Sequence, residues 1–408
     1  MRVLFTVASW PTHYAAMVPI GWALQAMGHD VRVLCPPSQV APVSATGLVP
    51  VPVLDGMDIV TANRMEYYQE AADGRWRYPW LPLHPLTGAE MTSLDDFDVE
   101  AYRRDVEPGI VARTAAGFDA AVDFARRWRP DVVLHDPTSL EGLLAARVLD
   151  VPSALCLWGP VGSHEPPHRR IVPTDVSGAF PRHGAGEFDL GMVENVVDPC
   201  PPSVAPLVES RRLPVRFVPY NGSSPAPTWL LDEPSRPRVC VAWSTALSTM
   251  SGPNSYLLPR LVDALSGQGL EVFVTATADD VAALGPVPPD VRVLERMPLR
   301  LLLPSCAAIV HHGGSGNTMT SLVSGTPQLA VTFTTETTVT AERLASAGVG
   351  IHVQGDLADR DTLRDSVLAL VSEPSYRERA ARLRAESQLR PTAVDLVENL
   401  EKLLSSLE

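Results

Sequence analysis

Three stretches decide how this chain folds: Arg2-Val-Leu-Phe-Thr-Val7, residues 15–27, and Val31-Arg-Val-Leu-Cys35. The first is a short, mostly apolar run of strand length. A polar loop, Ser9-Trp-Pro-Thr-His13, follows it. Over residues 15–27, Met17, Ile20, Leu24 and Met27 recur at the spacing of one helix face, and Gly28 stands where a helix ends. The third stretch is again a strand. Strand, helix and strand in this order make a βαβ unit, which implies a parallel sheet with a right-handed crossover.

The pattern recurs downstream. A strand at 132–135, a helix at 139–149 and a strand at 153–157 form a second βαβ unit, preceded by a long helix at 99–128. Between 55 and 98 the periodicity fails, and the stretch reads as an irregular, aromatic-rich insertion. Residues 159–237 are weakly patterned, and proline density from 199 to 237 reads as a linker. A new α/β series then begins. Its strands fall at 239–242, 271–276, 291–294, 308–311 and 328–331, with helices near 256–265, 317–323 and 339–347. Helices from Arg360 and Ser375 follow, and a last amphipathic helix spans 392–404. The expected organisation is a first domain over 1–215, a linker over 216–237, a second domain over 238–385, and a final segment, 386–408, that packs on either half. In open parallel sheets, ligands bind beyond the carboxyl ends of the strands. Two such sheets facing each other place the substrate site in the cleft between them.

Composition bounds the function. The 408 residues suffice for two or three domains. Hydrophobic residues make up 45% and charged residues 20%, which excludes bulk disorder. A net charge of −14 argues against nucleic acid or an anionic membrane surface as partner. No apolar run reaches the roughly 18 residues of a membrane span, and residues 1–10 lack the form of a signal peptide. Five widely spaced cysteines (Cys35, Cys156, Cys200, Cys240, Cys306) with no Cys-x-x-Cys pair read as buried free thiols in a reducing cytoplasm.

Chemistry gathers at strand ends. The first glycine is Gly21, so the first strand-to-helix loop cannot carry a dinucleotide-binding fingerprint. It offers His13 instead, at a helix start whose dipole favours neutral imidazole, the form a general base needs. Position alone leaves His13 open between a base and a histidine that caps or packs. Asp136, at the end of the 132–135 strand, is either a helix cap or the group that orients His13. In the second half a strand runs into His311-His-Gly-Gly-Ser-Gly316 and then a helix from Asn317. Glycines at that junction expose backbone N–H groups to a phosphate, with His312 as the donor imidazole. Thr245 adds a hydroxyl at the same sheet edge.

These features together resemble the GT-B family of NDP-sugar glycosyltransferases from actinobacterial antibiotic pathways, including the calicheamicin type. The resemblance covers essentially the whole chain. It is carried by Met17 to Val31 for the first helix, Val218-Pro-Tyr-Asn-Gly222 with Trp229-Leu-Leu231 for the linker, and a donor-binding signature. That signature runs from Leu303-Pro-Ser-Cys306 through His311-His-Gly-Gly314 to Gly325-Thr-Pro-Gln-Leu329. The resemblance implies an inverting transferase that needs neither metal nor cofactor, with a TDP- or UDP-sugar as donor and a hydrophobic polyketide-type acceptor. It implies His13 as general base and Asp136 as its supporting acid. His312, Gly313, Gly314, Ser315, Gly316, Asn317, Thr318 and Thr245 fall to the pyrophosphate site, and Arg296 and Met297 to the nucleotide base. Glu336-Thr337 stands where the family carries a sugar-reading Asp-Gln pair. Thr cannot make the two hydrogen bonds of Gln, so the expected sugar is a modified deoxysugar. Tyr67, Trp76, Tyr78, Trp80 and Trp158 either form the acceptor wall or, for the rings of the insertion, simply bury their own loop. A homodimer is compatible with all of this.

Two rival functions fit the same architecture. One is a sugar-nucleotide epimerase, which would act on donor alone. The other is a silent nucleotide-binding partner, which would bind TDP and transfer nothing.

Overall fold

The computed structural model describes residues 1–405 except 11, 56, 57, 223, 244 and 245. Among the described residues two parallel sheets form. The first contains β1 (Arg2–Thr6), β2 (Asp30–Leu34), β3 (Pro50–Val51), β4 (Val132–His135), β5 (Ser153–Cys156), β6 (Asn195–Asp198) and β7 (Arg211–Pro214), in the order β3-β2-β1-β4-β5-β6-β7. The second contains β8 (Arg238–Ala242), β9 (Glu271–Ala276), β10 (Val291–Glu295), β11 (Ala308–His311), β12 (Gln328–Thr332) and β13 (Gly350–Gln354), in the order β10-β9-β8-β11-β12-β13. The expected α/β architecture with two parallel sheets is what the chain adopts.

The central strands are apolar on both faces because helices cover both. Val3, Phe5, Val33 and Leu134 pack under the helices Val18–Ala26 and Ala393–Ser405. Leu4, Val133 and Leu155 pack under Glu107–Trp128 and Leu140–Leu149. Ile110, Phe118, Ala121, Val122 and Ala125 form the buried stripe of the long helix. The C-terminal helix belongs to the first sheet's core: Leu396, Val397 and Leu400 are buried there.

Order reversals place the loops. β1 pairs with β4 so that Thr6 faces His135, and the loops leaving both strands emerge side by side. In the second sheet His311 is flanked by Ala242 of β8 and Ala330 of β12. Both positions are switch points of the kind where α/β sheets hold ligands.

The chain passes between the lobes twice, and the two passages are tied together. Arg216 N donates to Pro391 O at 2.6 Å, and Arg390 Nε donates to Val215 O at 3.1 Å. Further along the connection Trp229 stacks on Phe273 of β9 at 5.1 Å with 2° between planes. Arg238 and Arg292 lie over the same indole.

Several elements differ from expectation. The stretch read as irregular contains a 14-residue helix, Ile59–Ala72, capped by Asp58. Only Tyr67 and Tyr68 of that helix are buried, so its sequence shows little face-to-face contrast. The long helix breaks at Val106 into Val99–Asp105 and Glu107–Trp128, because Pro108 must occupy a first turn. β7 lies within the proline-rich stretch read as linker. It is a polar edge strand with only Leu213 buried, and an edge tolerates its terminal proline. The helix expected near 339–347 begins one turn earlier, Thr335–Ser346, because a reciprocal cap between Thr334 and Thr337 starts it. All five cysteines are buried and free. No helix among the described residues is long and apolar enough to cross a membrane.

Candidate active site

A cavity of about 930 Å³ lies between the two sheets, lined by residues of both lobes. His13, Thr138, Trp158, His312, Ser315 and Glu336 all open onto it.

His13 begins a single 3-10 turn, His13–Ala16, and the α-helix starts only at Val18, with Pro19 in its first turn. The imidazole therefore stands ahead of a weak turn, not at the mouth of a helix, and the expected dipole effect has little source. Its tautomer is fixed by hydrogen bonding instead. Asp136 is fully buried. Its Oδ1 accepts both the backbone N–H and the hydroxyl of Thr138, each at 2.7 Å. Its Oδ2 lies 3.0 Å from His13 Nδ1. The Thr138 hydroxyl spends its proton on Asp136, so it can only accept from His13 Nδ1, 3.3 Å away. Both neighbours of Nδ1 are acceptors. The proton resides there, and Nε2 keeps the lone pair. Burial raises the Asp136 carboxyl, but the electrostatic pull of the His13 ring and the bonds from His13 and Thr138 outweigh it and hold the group below the usual carboxylate range. Asp136 is thus not a helix cap; it closes a local turn onto Thr138. The sequence reading missed Thr138, although Asp136-Pro-Thr138 after a strand is a recognisable side-chain turn.

The opposite wall is the junction of β11 and the helix Ser315–Ser324. His311 is fully buried: its Nε2 donates to Gln328 Oε1 at 2.9 Å, and its Nδ1 accepts from Gly313 N at 3.0 Å. Burial, with the neighbouring His312, pulls it down to about 3. Neutral His311 thereby pins the turn from below. Gly313 has φ +87°, and a Cβ there would lie 2.9 Å from Thr337 Cβ and 3.0 Å from Thr337 O. Only glycine fits both demands. His312 shows part of its ring to the cavity, stands edge-on to Trp243 at 6.0 Å, and is pulled by burial to about 4. Neutral His312 and the first-turn residues Ser315, Gly316 and Asn317 line the cavity together; first-turn amides have no partner within their own helix, so the arrangement suits an anion.

Other candidates are placed as follows. Glu336 sits in the first turn of Thr335–Ser346, lines the cavity, and accepts from Trp158 Nε1 at 3.0 Å and Ser315 Oγ at 3.2 Å. Thr337 also lines the cavity. Tyr67 lines it with its hydroxyl buried and unpartnered, and burial pushes that hydroxyl well above its usual range. Trp76, Tyr78 and Trp80 do not line it. Trp76 meets Tyr78 edge-on, and Tyr78 stacks on Trp80 at 5.1 Å and on Phe333 of the second lobe at 6.1 Å. Tyr78 and Trp80, each half-buried, pack against the second lobe's core and so bridge the seam between lobes. Gly313 and Thr318 support the turn without lining the cavity; Thr318 is fully buried. Arg296 and Met297 lie away from it. Arg296 is exposed in a left-handed conformation, φ 49°, and Met297 packs into the second lobe's core. Thr245 lies outside the described residues.

Comparison with known proteins gives a consistent picture. Residues 22–244 match the model of the erythromycin biosynthesis protein CIII-like N-terminal domain, and residues 259–403 match that of its C-terminal domain. The chain is 33% identical to the 10-deoxymethynolide desosaminyltransferase of Streptomyces venezuelae, over 99% of this chain and 97% of that protein. It is also 33% identical to the TDP-daunosamine transferase DnrS of Streptomyces peucetius, over 99% and 97%. Among solved structures, spinosyn rhamnosyltransferase SpnG complexed with thymidine diphosphate superposes with a TM-score of 0.76 at 28% identity, covering 98% of this chain and 100% of that one.

Proposed function

This chain belongs to the erythromycin biosynthesis protein CIII-like family of glycosyltransferases, and from that premise we propose that it moves a deoxysugar from a TDP-sugar to a hydroxyl of a polyketide aglycone, inverting the anomeric centre. The observation that supports the mechanism is that one cavity joins the His13 imidazole, held at Nδ1 by Asp136, to the glycine-rich helix start on the facing lobe.

His13 Nε2 takes the proton of the acceptor hydroxyl as that oxygen attacks the anomeric carbon. The bond from that carbon to the diphosphate oxygen breaks, and TDP leaves with the electron pair. Asp136 stabilises the imidazolium that forms. Its lowered proton affinity keeps it an anion throughout. General-base assistance of this kind is worth about 10²–10⁴-fold. The amides of Ser315, Gly316 and Asn317, with the His312 N–H, receive charge on the departing diphosphate. Glu336 and Thr337 stand beside that cradle, in place of the pair that reads a fully hydroxylated sugar. The acceptor side offers apolar walls, including Phe118, Leu140 and Ile171, for a polycyclic or macrocyclic aglycone.

The test is a thermal-shift screen followed by product analysis. A nucleotide at 100 times its Kd adds about 2.7 kcal/mol. TDP should stabilise the protein and NAD should not. Transfer from a TDP-α-deoxysugar should give a β-glycoside by NMR. Stabilisation by NAD alone, or retention at the anomeric centre, overturns the reading.

A further inference from the structure

We propose that Trp158 is a positioning residue that couples the plane of the His13 ring to closure of the donor lobe. The inference rests on His13 serving as base.

Asp136 and Thr138 hold only one edge of the His13 ring, at Nδ1. A ring held at one edge can still turn about that edge and swing Nε2 away from the acceptor. The indole of Trp158 prevents this: it stacks on the imidazole with centroids 3.9 Å apart and 25° between planes. What fixes the indole comes from the other lobe. Its Nε1 donates to Glu336 Oε1 at 3.0 Å, and the same oxygen accepts from Ser315 Oγ at 3.2 Å. Glu336 and Ser315 each stand in the first turn of a helix of the second lobe, and Ser315 opens the helix of the anion cradle.

The neighbouring backbone points the same way. A Cβ on Gly159 would lie 2.8 Å from Ser315 Cβ and 3.4 Å from Ser315 Cα. The loop that carries Trp158 therefore meets the cradle helix nearly backbone to backbone. Separating the lobes parts Trp158 from Glu336 and removes what orients the indole. The base is then braced at its edge but not in its plane. The sequence reading placed Trp158 on the acceptor wall. Trp158 does line the cavity, and its indole N–H is bonded to the donor lobe while one of its faces lies on His13, which makes it a link between them.

Two substitutions separate the link from the surface it offers. Trp158→Phe keeps an aromatic face and removes the N–H; Trp158→Leu removes both. In the full-length enzyme, with kcat, both KM values and TDP affinity measured, Trp158→Phe should lose about tenfold in kcat and Trp158→Leu about a hundredfold, the scale expected of a misplaced reacting group. KM values and TDP affinity should stay within about twofold, a split that general damage to the fold does not produce. From the other lobe, Glu336→Leu should lower kcat at saturating donor by at least as much as Trp158→Phe. The double variant should be no slower than Glu336→Leu alone, since both remove one link. A kcat for Trp158→Phe within twofold of wild type overturns the coupling. So do additive effects in the double variant, or a parallel loss of TDP affinity. Should Trp158→Phe fail to fold, an unchanged kcat in Glu336→Leu overturns it equally. The base assignment fails separately: His13→Ala would then retain activity, whatever the Trp158 variants do.

Discussion

His13 Nδ1 meets Asp136 Oδ2 at 3.0 Å although the two residues lie on separate βα loops. Their meeting follows from sheet order. β1 and β4 are neighbours in the sheet but distant in the chain, so the loops that leave them converge.

That contact sets the first expectation. His13→Ala should reduce turnover by about 10²–10⁴-fold, with TDP affinity unchanged because the cradle lies on the other lobe. Asp136→Asn should also cut turnover steeply, since an amide can donate to Nδ1 and favour the wrong tautomer. Steady-state kinetics and calorimetric titration with TDP check both. Near-normal turnover in His13→Ala would remove the base assignment.

Gly313→Ala should weaken nucleotide binding by about tenfold or more, because a left-handed backbone costs a non-glycine residue about 1–3 kcal/mol. The new methyl group would also press on Thr337 Cβ and on its backbone oxygen. Titration with TDP reads the loss directly. An unchanged Kd would mean that the turn does not hold the nucleotide.

Gly159→Ala should slow catalysis while leaving each lobe folded. Its methyl group would lie 2.8 Å from Ser315 Cβ, a contact that rotating the Ser315 hydroxyl cannot relieve. The lobes must part slightly to admit it. The expected result is a lower kcat at an unaltered Tm; wild-type kcat would show that this seam tolerates separation.

Acid should destabilise the protein in a definite window. Burial pulls His135 down to about 4 and His311 to about 3, against about 6.5 in an unfolded chain. Between those values the unfolded chain binds protons that the folded one refuses. Stability that is complete above about pH 6.5 is therefore lost as pH falls toward 4. The depressed carboxyl of Asp136 adds a loss at still lower pH, as it too becomes protonated. Differential scanning fluorimetry from pH 7 to pH 4 should show a falling Tm, and His135→Leu should flatten the slope. A level profile in the wild type would contradict the neutral, buried state of these rings.

Leu396→Ala should cost about 2–5 kcal/mol of stability, the usual penalty for emptying a buried leucine site. Leu396 is fully buried in the first sheet's core although it lies near the C-terminus. Chemical denaturation measures the loss. TDP binding by the folded fraction should be unaffected, and a change below 1 kcal/mol would argue that the last helix is dispensable.

Much of the framework was legible in the sequence because buried parallel strands are short apolar runs that need no partner to be recognised. The strand-to-helix junction at His311–Gly316 was legible for a similar local reason, since glycines between a strand and a helix mark a tight turn in place. What escaped depends on distant partners. Thr138 matters because of where Asp136 and His13 lie, and Trp158 because of Glu336. The helix Ile59–Ala72 escaped because it buries only Tyr67 and Tyr68 and so lacks a continuous apolar stripe. β7 escaped because an edge strand can be polar and end in proline. The aromatics at 76, 78 and 80 are expected on the acceptor wall and instead lie off the cavity, with Tyr78 against Phe333, since composition does not say which face a ring will cover.

The bonded pair of crossings has a mechanical consequence. Arg216 with Pro391, and Arg390 with Val215, fasten the outgoing and returning segments side by side, while Trp229 anchors the outgoing one to β9. A single tether would let the halves twist and slide in any direction. Two segments fastened together leave the halves fewer directions of relative movement than one tether would, so the crossing itself helps keep the opposed surfaces in register.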